Sequence, residues 1–391
     1  MALFLRAGQL LLGAAAIGVA VPSCYSAGAG TAPPPKSFYF PVGLAVSHDG
    51  KWLYAVNSDF DLQWNGGTLQ SYDLTRLRSD ASALVASNLG GGNAPPTLQL
   101  LGSTPAASCV GTPPAGIPLG QSCSPPVDPR AYFHDSAVIG AFAIDLQLSV
   151  STLDGTPAGP RRLFVPVRGD ATLTWADLRD DGTIDCGARV DGRCNPSHHA
   201  GNNPNEDHNS RNLTLPGEPF GMAQTEDGTA IAVTHQTDTK ASLFTSGVPS
   251  PQQPSATAVA PAMQFVLDGL PTGGNGIAAV PHDPDAVNTD CESASGAIDS
   301  APCVRPAFLE TSHDAAELDL LRYYSDDGST LHRPFLAREA VYALTANAGG
   351  TDSRGIVIDP TPRLLCKRRV GGADPAALRA CGRLPARVFF A

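Results

Sequence analysis

The sequence predicts an all-β fold built from many short strands joined by turns. Glycine and proline are frequent, with 40 and 35 residues among 391, and both types interrupt helices. Hydrophobic residues make up 42% of the chain and charged residues only 16%, which is enough apolar material for a large core. The net charge of −11 argues against nucleic acid as a partner.

The first segment has the layout of a secretory signal peptide. Arg6 precedes an uncharged apolar stretch from Leu10 to Val21, which is shorter than the roughly 20 residues of a membrane-spanning helix. The alternative, a buried N-terminal helix, lacks a packing partner in the run SAGAGTAPPPK that follows. We therefore expect residues 1–24 to be the signal, 25–36 a flexible tether and 37–391 the folded domain.

The end of this segment, Val21-Pro22-Ser23-Cys24, resembles the bacterial lipobox. Pro22 departs from the small residue that is usual at its position, and Tyr25 replaces the aspartate that signals inner-membrane retention. The resemblance implies that Cys24 carries a lipid and attaches the protein to the membrane. It also implies an outer-membrane lipoprotein that faces the periplasm or the cell surface.

The remaining cysteines indicate an oxidising compartment. Without Cys24 the chain has eight, and they fall into four local pairs: Cys109 with Cys123, Cys186 with Cys194, Cys291 with Cys303, and Cys366 with Cys381. Each pair brackets a loop-like stretch, as disulfides do in periplasmic and extracellular proteins. Metal binding and free thiols are the alternatives, but no pair has the close spacing of a zinc knuckle. Eight cysteines allow many connectivities, so local pairing is a hypothesis.

Two segments of the mature chain align with each other. They read PVGLAVSHDGKWLYAVNSDFD from Pro41 to Asp61 and PFGMAQTEDGTAIAVTHQTDT from Pro219 to Thr239. In each, an apolar strand leads to an Asp-Gly turn and a second strand, which predicts a hairpin. Weaker repeats follow, and units are expected to begin near residues 41, 134, 219, 274 and 353. Chance similarity among turn-rich segments is the alternative.

The first of these hairpins resembles the YVTN or surface-layer-type β-propeller repeat found in lipoproteins of Gram-negative bacteria. Pro41, Gly43, Asp49-Gly50, Tyr54, Val56 and Asn57 match that repeat, with Ala55 interposed. The resemblance implies an all-β β-propeller of about five recognisable blades with long disulfide-stapled loop insertions. Familiar propellers of this type carry more blades. We therefore expect an incomplete ring, either because the chain is C-terminally truncated or because further blades have diverged.

Two stretches could hold a metal ion. Asp177, Asp181 and Asp185 fit positions of an EF-type calcium loop, but Arg179 and Ala188 replace two of its oxygen ligands, so an Asp-rich turn is the favoured interpretation. His198, His199 and His208 crowd one loop with Glu206 and Asp207, where a transition metal could bind. Four Asn and Pro residues within that loop favour a solvated loop instead. No resident cofactor is expected, with calcium or a transition metal as the exception.

The sequence gives little indication of a catalytic site. The sequence contains no nucleophile elbow, no phosphate-binding loop and no zinc-protease helix. His48, His235, His282 and His313 recur near predicted turns, and an active site would need them at one mouth of the propeller channel.

The sequence therefore favours a non-enzymatic, lipid-anchored binding or scaffold module. Its partner would be another envelope protein or a polysaccharide. A propeller enzyme of lactonase or quinoprotein type, with a metal-assisted site at the central channel, is the alternative. A purely structural envelope component is the third possibility.

Overall fold

A computed structural model describes most of the predicted folded domain. The described residues are 30–90, 128–149, 161–249, 257–281, 305–326, 333–344, 355–359, 361–370 and 386–390, with isolated positions at 328, 330, 331, 377, 380, 381 and 384. The predictions for Cys24, Cys109, Cys123, Cys291, Cys303 and His282 lie outside the described residues.

The first sheet is a four-stranded antiparallel meander. Its strands are β1 (Pro41–Val46), β2 (Trp52–Asn57), β3 (Gly67–Asp73) and β4 (Phe133–Ile139), hydrogen-bonded in chain order. Helix α1 (Leu74–Gly90) follows β3 directly and begins where the Asp73 carboxylate accepts the Arg76 N–H at 2.8 Å.

Four further sheets follow along the described chain. The second contains β5 (Gln147–Leu148), β6 (Arg161–Val167), β7 (Thr172–Leu178) and β8 (Ile184–Asp185), and β9 (His199–Ala200) also pairs with β7. The third contains β10 (Pro219–Gln224), β11 (Ala230–His235), β12 (Lys240–Thr245) and β13 (Ala262–Asp268). The fourth contains β14 (Gly274–Val280), β15 (Ala307–Ser312), β16 (Glu317–Tyr324) and β17 (Phe335–Ala343). The fifth pairs β18 (Ile356–Asp359) with β19 (Arg387–Phe390), and α2 (Thr361–Val370) lies between them in sequence.

The sheets pack face to face in chain order, with their first strands side by side. Strand β1 contacts β5, β14 contacts β10 and β18, and β6 contacts β10. Successive four-stranded meanders stacked in this way are the blades of a β-propeller. The predicted fold class is therefore confirmed, and we call the five sheets blades 1 to 5.

Alternation along each strand supplies both faces of a blade with apolar side chains. On β6, Leu163 and Val165 belong to the core shared with blade 1, whereas Phe164 belongs to the core shared with blade 3. On β11, Ile231 faces blade 2, whereas Ala232 lies in the core between blades 3 and 4. This period of two buries both faces of each middle blade.

The glycine of the Pro-x-Gly motif lies where neighbouring blades approach most closely. A Cβ atom at Gly43 would lie under 3.0 Å from the Leu146 nitrogen at the start of blade 2. A Cβ at Gly221 would clash in the same way with the Asn275 carbonyl oxygen of blade 4. The repeat therefore requires glycine because the first strands of adjacent blades are in backbone contact.

The two aligned hairpins have the same turn. Gly50 and Gly228 both have φ of +70°, in the left-handed region that favours glycine. The Ser47 hydroxyl donates to the Asp49 carboxylate at 2.6 Å, and the Thr225 hydroxyl donates to Asp227 at 2.6 Å. The predicted repeat is thus confirmed at the level of individual hydrogen bonds.

One predicted unit boundary is wrong. The segment near residue 134 does not begin a blade, because β4 pairs with β3 and completes blade 1, with Gly67 opposite Ile139. An insertion that includes α1 separates β3 from β4 in sequence. The last strand of blade 1 therefore resembles, in sequence, the first strand of a new blade. Blade 2 begins instead at Gln147.

Two of the predicted disulfides are confirmed. Cys186 is bonded to Cys194 with a Cα–Cα distance of 5.1 Å, and Cys366 is bonded to Cys381 with a Cα–Cα distance of 5.4 Å. Both close local loops, as their sequence spacing indicated. Within the described part of the chain, no helix has the length and apolar content needed to cross a membrane.

Candidate functional site

The loop that closes blade 2 forms one wall of a pocket of about 590 Å³. We call it the Trp175 pocket. It is lined by Trp175 of β7, by the turn and loop from Pro196 to Asp207, and by Ala260 and Pro261 of the neighbouring blade. The Cys186–Cys194 disulfide and a hydrogen bond from the Asn195 N–H to the Cys186 carbonyl at 2.9 Å fix the start of this loop.

Trp175 is held rigidly, with only 8% of its surface exposed. The His198 ring stacks on it at a centroid distance of 3.9 Å, and the Arg162 guanidinium carbon lies 4.2 Å from the same centroid. Because two groups at this distance cannot share one ring face, they cover opposite faces. Both faces of the indole are therefore covered by protein groups.

Arg162 is a buried support for this arrangement. It is 2% exposed and forms an ion pair with Asp177 at 2.8 Å. It also donates to the carbonyl oxygens of Ser246 at 3.0 Å and Val259 at 2.8 Å. All its partners belong to blades 2 and 3, so the guanidinium joins the two blades behind the indole.

Two residues that line the Trp175 pocket each contain a buried polar atom that lacks a hydrogen-bond partner in the structure. These atoms are the indole Nε1 of Trp175 and Nε2 of His199. Leaving such a group unpaired costs about 1–3 kcal/mol, so most buried polar atoms are paired. Burial lowers the pKa of the His199 imidazole, which keeps the ring neutral at pH 7.

The rim of the Trp175 pocket is polar and combines three amide side chains with two carboxyl groups. Asn202, Asn203 and Asn205 line it beside Glu206 and Asp207. The Glu206 carboxylate accepts the Gly201 N–H at 3.1 Å, and burial raises the pKa of this carboxyl group. Amide, imidazole and indole groups of this kind can pair with the hydroxyl groups of a neutral ligand.

The histidines of the predicted transition-metal loop have different surroundings. His198 stacks on Trp175 and its Nδ1 lies 3.0 Å from the Trp175 carbonyl oxygen, while burial lowers the pKa of its ring. His199 lines the pocket, whereas His208 is exposed. Among the residues that the structure describes, no group of three or more His, Cys, Asp or Glu side chains is placed to hold a metal ion.

The aspartates of the predicted calcium loop are engaged with the protein itself. Asp177 pairs with Arg162, and Asp185 pairs with Arg179 at 2.8 Å. Asp181 accepts the Thr183 N–H at 3.0 Å in the turn between β7 and β8. These hydrogen bonds are those of an Asp-rich turn, and calcium binding by the three residues stays a prediction.

The central channel presents a second cavity, of about 480 Å³. It is lined by the first strands of blades 2 to 5, which are largely apolar and contribute Gln147 and Gln224 as polar side chains. The Gln224 amide donates to the Leu148 carbonyl oxygen at 2.7 Å, and the Gln147 amide donates to the Met222 carbonyl oxygen. The described lining of this cavity therefore offers no acid–base pair.

The histidines near the turns do not meet at one end of the channel. His48 lies in the turn between the first and second strands of blade 1, whereas His235 ends the second strand of blade 3 and His313 follows the second strand of blade 4. In an antiparallel meander, the turn after the first strand and the turn after the second strand lie at opposite ends of the strands. The arrangement expected for a channel-mouth active site is therefore not formed by these three residues.

The structure contains a buried acidic cluster that the sequence analysis missed. Glu310 of β15 and Asp319 of β16 lie directly opposite each other and are 2% and 1% exposed. Arg338 pairs with Asp319, and burial raises the pKa of the Glu310 carboxyl group well above its usual value. The signal was a Glu within the strand AFLETS, directly after three apolar residues, but its partner became visible only with the β15–β16 register.

Comparison with known proteins identifies no family for the chain. No family model matches the chain, and no curated protein matches it. Among solved structures, it is similar to a functionally unknown protein from Desulfotomaculum acetoxidans, with a TM-score of 0.38 and 10% identity over 78% of this chain and 56% of the other. A putative 6-phosphogluconolactonase from Bacteroides uniformis gives a TM-score of 0.39 and 14% identity over 85% and 65% of the two chains.

A third similar structure is the periplasmic gluconolactonase of Pseudomonas aeruginosa. It gives a TM-score of 0.39 and 11% identity over 84% of this chain and 62% of the other. The chain thus spans 56%, 65% and 62% of the length of these three proteins. At this level of similarity no activity or substrate is transferred to this chain.

Proposed function

We propose that this protein is a lipid-anchored cell-envelope β-propeller of the YVTN or surface-layer type that binds a polysaccharide segment in its Trp175 pocket. The lipobox-like sequence at Cys24 supports the anchor and the outer-membrane location. The confirmed local disulfides support an oxidising compartment.

One observation carries the proposal for the site. Trp175 and His199 line the same pocket, and the buried Nε1 and Nε2 of these two side chains have no partner within the protein. Ligand hydroxyl groups can accept a hydrogen bond from the indole N–H and pair with the imidazole nitrogen. Binding would then remove the free-energy cost of leaving these two polar atoms unpaired.

Saccharides fit this chemistry better than an ionic ligand does. The rim contributes three asparagine side chains, the exposed Asp207 carboxylate and the half-buried Glu206 carboxylate, which already accepts a backbone N–H. The pocket volume of about 590 Å³ admits one or two sugar rings, so the ligand would be a short segment of a longer chain.

The test is a titration with two neutral hexasaccharides, chitohexaose and maltohexaose. We expect at least one to bind, and we expect Trp175→Phe to weaken its binding about fivefold to tenfold, because phenylalanine keeps the stacked ring but removes the indole N–H. Isothermal calorimetry measures the affinity, and Trp64→Phe, which changes a tryptophan outside the pocket, is the matched control. Binding of neither sugar, or equal affinity of Trp175→Phe and the native chain, would contradict the proposal.

A lactonase- or quinoprotein-type enzyme with a metal-assisted site at the channel is the weaker candidate. It needs acidic or histidine side chains from several blades at the channel, whereas the described lining is apolar apart from Gln147 and Gln224. Hydrolysis of gluconolactone that depends on added calcium or zinc would favour the enzyme over the binding module.

A further inference from the structure

Blade 1 carries exposed apolar side chains at the end of its sheet where a loop joins β2 to β3. Phe40, Phe60 and Leu62 are 41%, 36% and 45% exposed. The Phe60 ring lies 5.5 Å from that of Phe40 and 5.6 Å from that of Phe142, centroid to centroid. We call these four residues the aromatic face.

Two members of the aromatic face are held in a strained backbone conformation. Leu62 has φ of +55° and Phe142 has φ of +59°, in the left-handed region that bulky residues rarely adopt. Such strain costs about 1–3 kcal/mol and persists only where the surrounding structure imposes it. Here it accompanies two large apolar side chains of which Leu62 is exposed and Phe142 is only partly buried.

The N-terminal segment is docked on the loop that bears this face. The Asn65 N–H donates to the Thr31 carbonyl oxygen at 2.9 Å, and the Asn65 side-chain amide donates to the Gly30 carbonyl oxygen at 3.4 Å. The Gln70 amide then contacts the carbonyl oxygens of Pro34, Pro35 and Ser37 at 3.1–3.3 Å. Residues 30–37, most of the predicted tether, therefore lie along blade 1 in the structure.

This docking limits the distance between a lipid on Cys24 and the aromatic face. Only the five residues 25–29 separate Cys24 from Gly30, and a fully extended chain of that length spans about 20 Å. The Gly30 carbonyl oxygen accepts a hydrogen bond from the side chain of Asn65, and Asn65 lies in the same loop as Phe60 and Leu62. A lipid inserted in a bilayer would consequently hold this loop, rather than a distant part of blades 2 to 5, near the membrane.

We propose that the aromatic face lies against the headgroup region of the membrane that holds the lipid anchor. The proposal rests on lipidation of Cys24, which belongs to the proposed function. Aromatic and aliphatic side chains favour the boundary between headgroups and acyl chains. The aromatic face supplies the second contact and fixes which side of the propeller is turned towards the membrane.

The local charge is balanced, which favours a neutral lipid surface over an oppositely charged partner. Lys36 and Asp61 are the exposed charged residues of the docked segment and of the loop beside it. The chain as a whole carries a net charge of −11, so anionic vesicles would repel it. Zwitterionic phosphatidylcholine vesicles are therefore the probe of choice.

The experiment uses the chain from Tyr25 onward, which lacks the lipid but retains every residue described in the structure. We expect this chain to float with phosphatidylcholine vesicles, and brominated lipid to quench part of its tryptophan fluorescence, because Trp64 lies in the same loop. We expect Phe60→Ser combined with Leu62→Ser to lower the vesicle partition coefficient at least about tenfold. The binding should change little with salt, because the contact is apolar.

The matched control is Val341→Ser combined with Tyr342→Ser on β17, where the side chains are 46% and 51% exposed. This variant should partition like the native chain. Equal partitioning of all three proteins, or no vesicle binding by the native chain, would overturn the proposal. If the face variant instead alters only self-association or capture of another protein, a protein surface replaces the lipid and the proposal is likewise overturned. Mass spectrometry of the membrane form against Cys24→Ser reports the anchor separately.

Discussion

Single residues in the strands of blade 3 and blade 4 have charge states set by burial. His235 is fully buried at the end of β11, where Nδ1 lies 2.9 Å from the Gly217 carbonyl oxygen and Nε2 lies 2.8 Å from the Ser242 hydroxyl. Burial lowers the pKa of His235 to about 4. The imidazole therefore serves as a neutral connector between a loop and two strands, not as a channel-mouth catalyst.

His235 should make the protein less stable as the pH falls from about 6.5 towards 4. In that window the unfolded chain binds a proton at this imidazole and the folded chain does not, so the free energy of unfolding decreases by about 2 kcal/mol between pH 7.5 and pH 5. We expect His235→Gln to remove most of this decrease, as measured by urea unfolding at the two pH values. His48→Gln is the control, and an unchanged pH dependence in His235→Gln would contradict the assignment.

Glu310 should act in the opposite direction. Because burial and the neighbouring Asp319 raise the pKa of Glu310, the folded protein keeps a proton here that the unfolded chain loses above pH 4.5. Stability contributed by this group is thus present below that pH and decreases as the pH rises. We expect Glu310→Gln to raise the urea midpoint at pH 8 more than at pH 4. Asp319→Asn, which breaks the ion pair with Arg338, should lower the midpoint, and a destabilised Glu310→Gln at pH 8 would refute the argument.

Strands and helices were predictable from the sequence where neighbouring residues determine them. The hairpins at Pro41 and Pro219 follow from strand alternation and an Asp-Gly turn, and the structure places left-handed glycines at Gly50 and Gly228. Helix α1 was missed although Asp73 caps it, because the surrounding composition favoured strands. The register that joins β4 to β3 across an insertion has no local signal, which explains the misplaced unit near residue 134.

The Pro-x-Gly motif gives a prediction about contacts between elements. Gly221→Ala should lower the free energy of unfolding by about 1–3 kcal/mol, because the new Cβ would press on the Asn275 carbonyl oxygen and push blades 3 and 4 apart. Chemical denaturation measures the change. Gly217→Ala, with no atom within 4 Å of its added Cβ, is the control and should be nearly neutral. Equal stability of the two variants would mean that β10 and β14 are not in close contact.

At the scale of the whole molecule, the candidate site arises where blades and an insertion meet. The sequence indicated the polar loop with His199, Glu206 and Asp207. It could not indicate Trp175, because the contact depends on β9 pairing with β7 over a long sequence separation. Arg162 was missed for the same reason, since its partners lie in two blades. The stacked blades thus supply a rigid support that includes Trp175, and the loop that follows the Cys186–Cys194 disulfide supplies His199 and the polar rim.

The most direct test of this account is a crystal structure of the chain grown with chitohexaose or maltohexaose. We predict sugar density in the Trp175 pocket, with a ligand hydroxyl within hydrogen-bond distance of the indole Nε1 and another polar atom on Nε2 of His199. The blades should be packed in chain order around the channel. Sugar bound elsewhere with the Trp175 pocket unoccupied, or strands that do not form successive stacked meanders, would contradict the account.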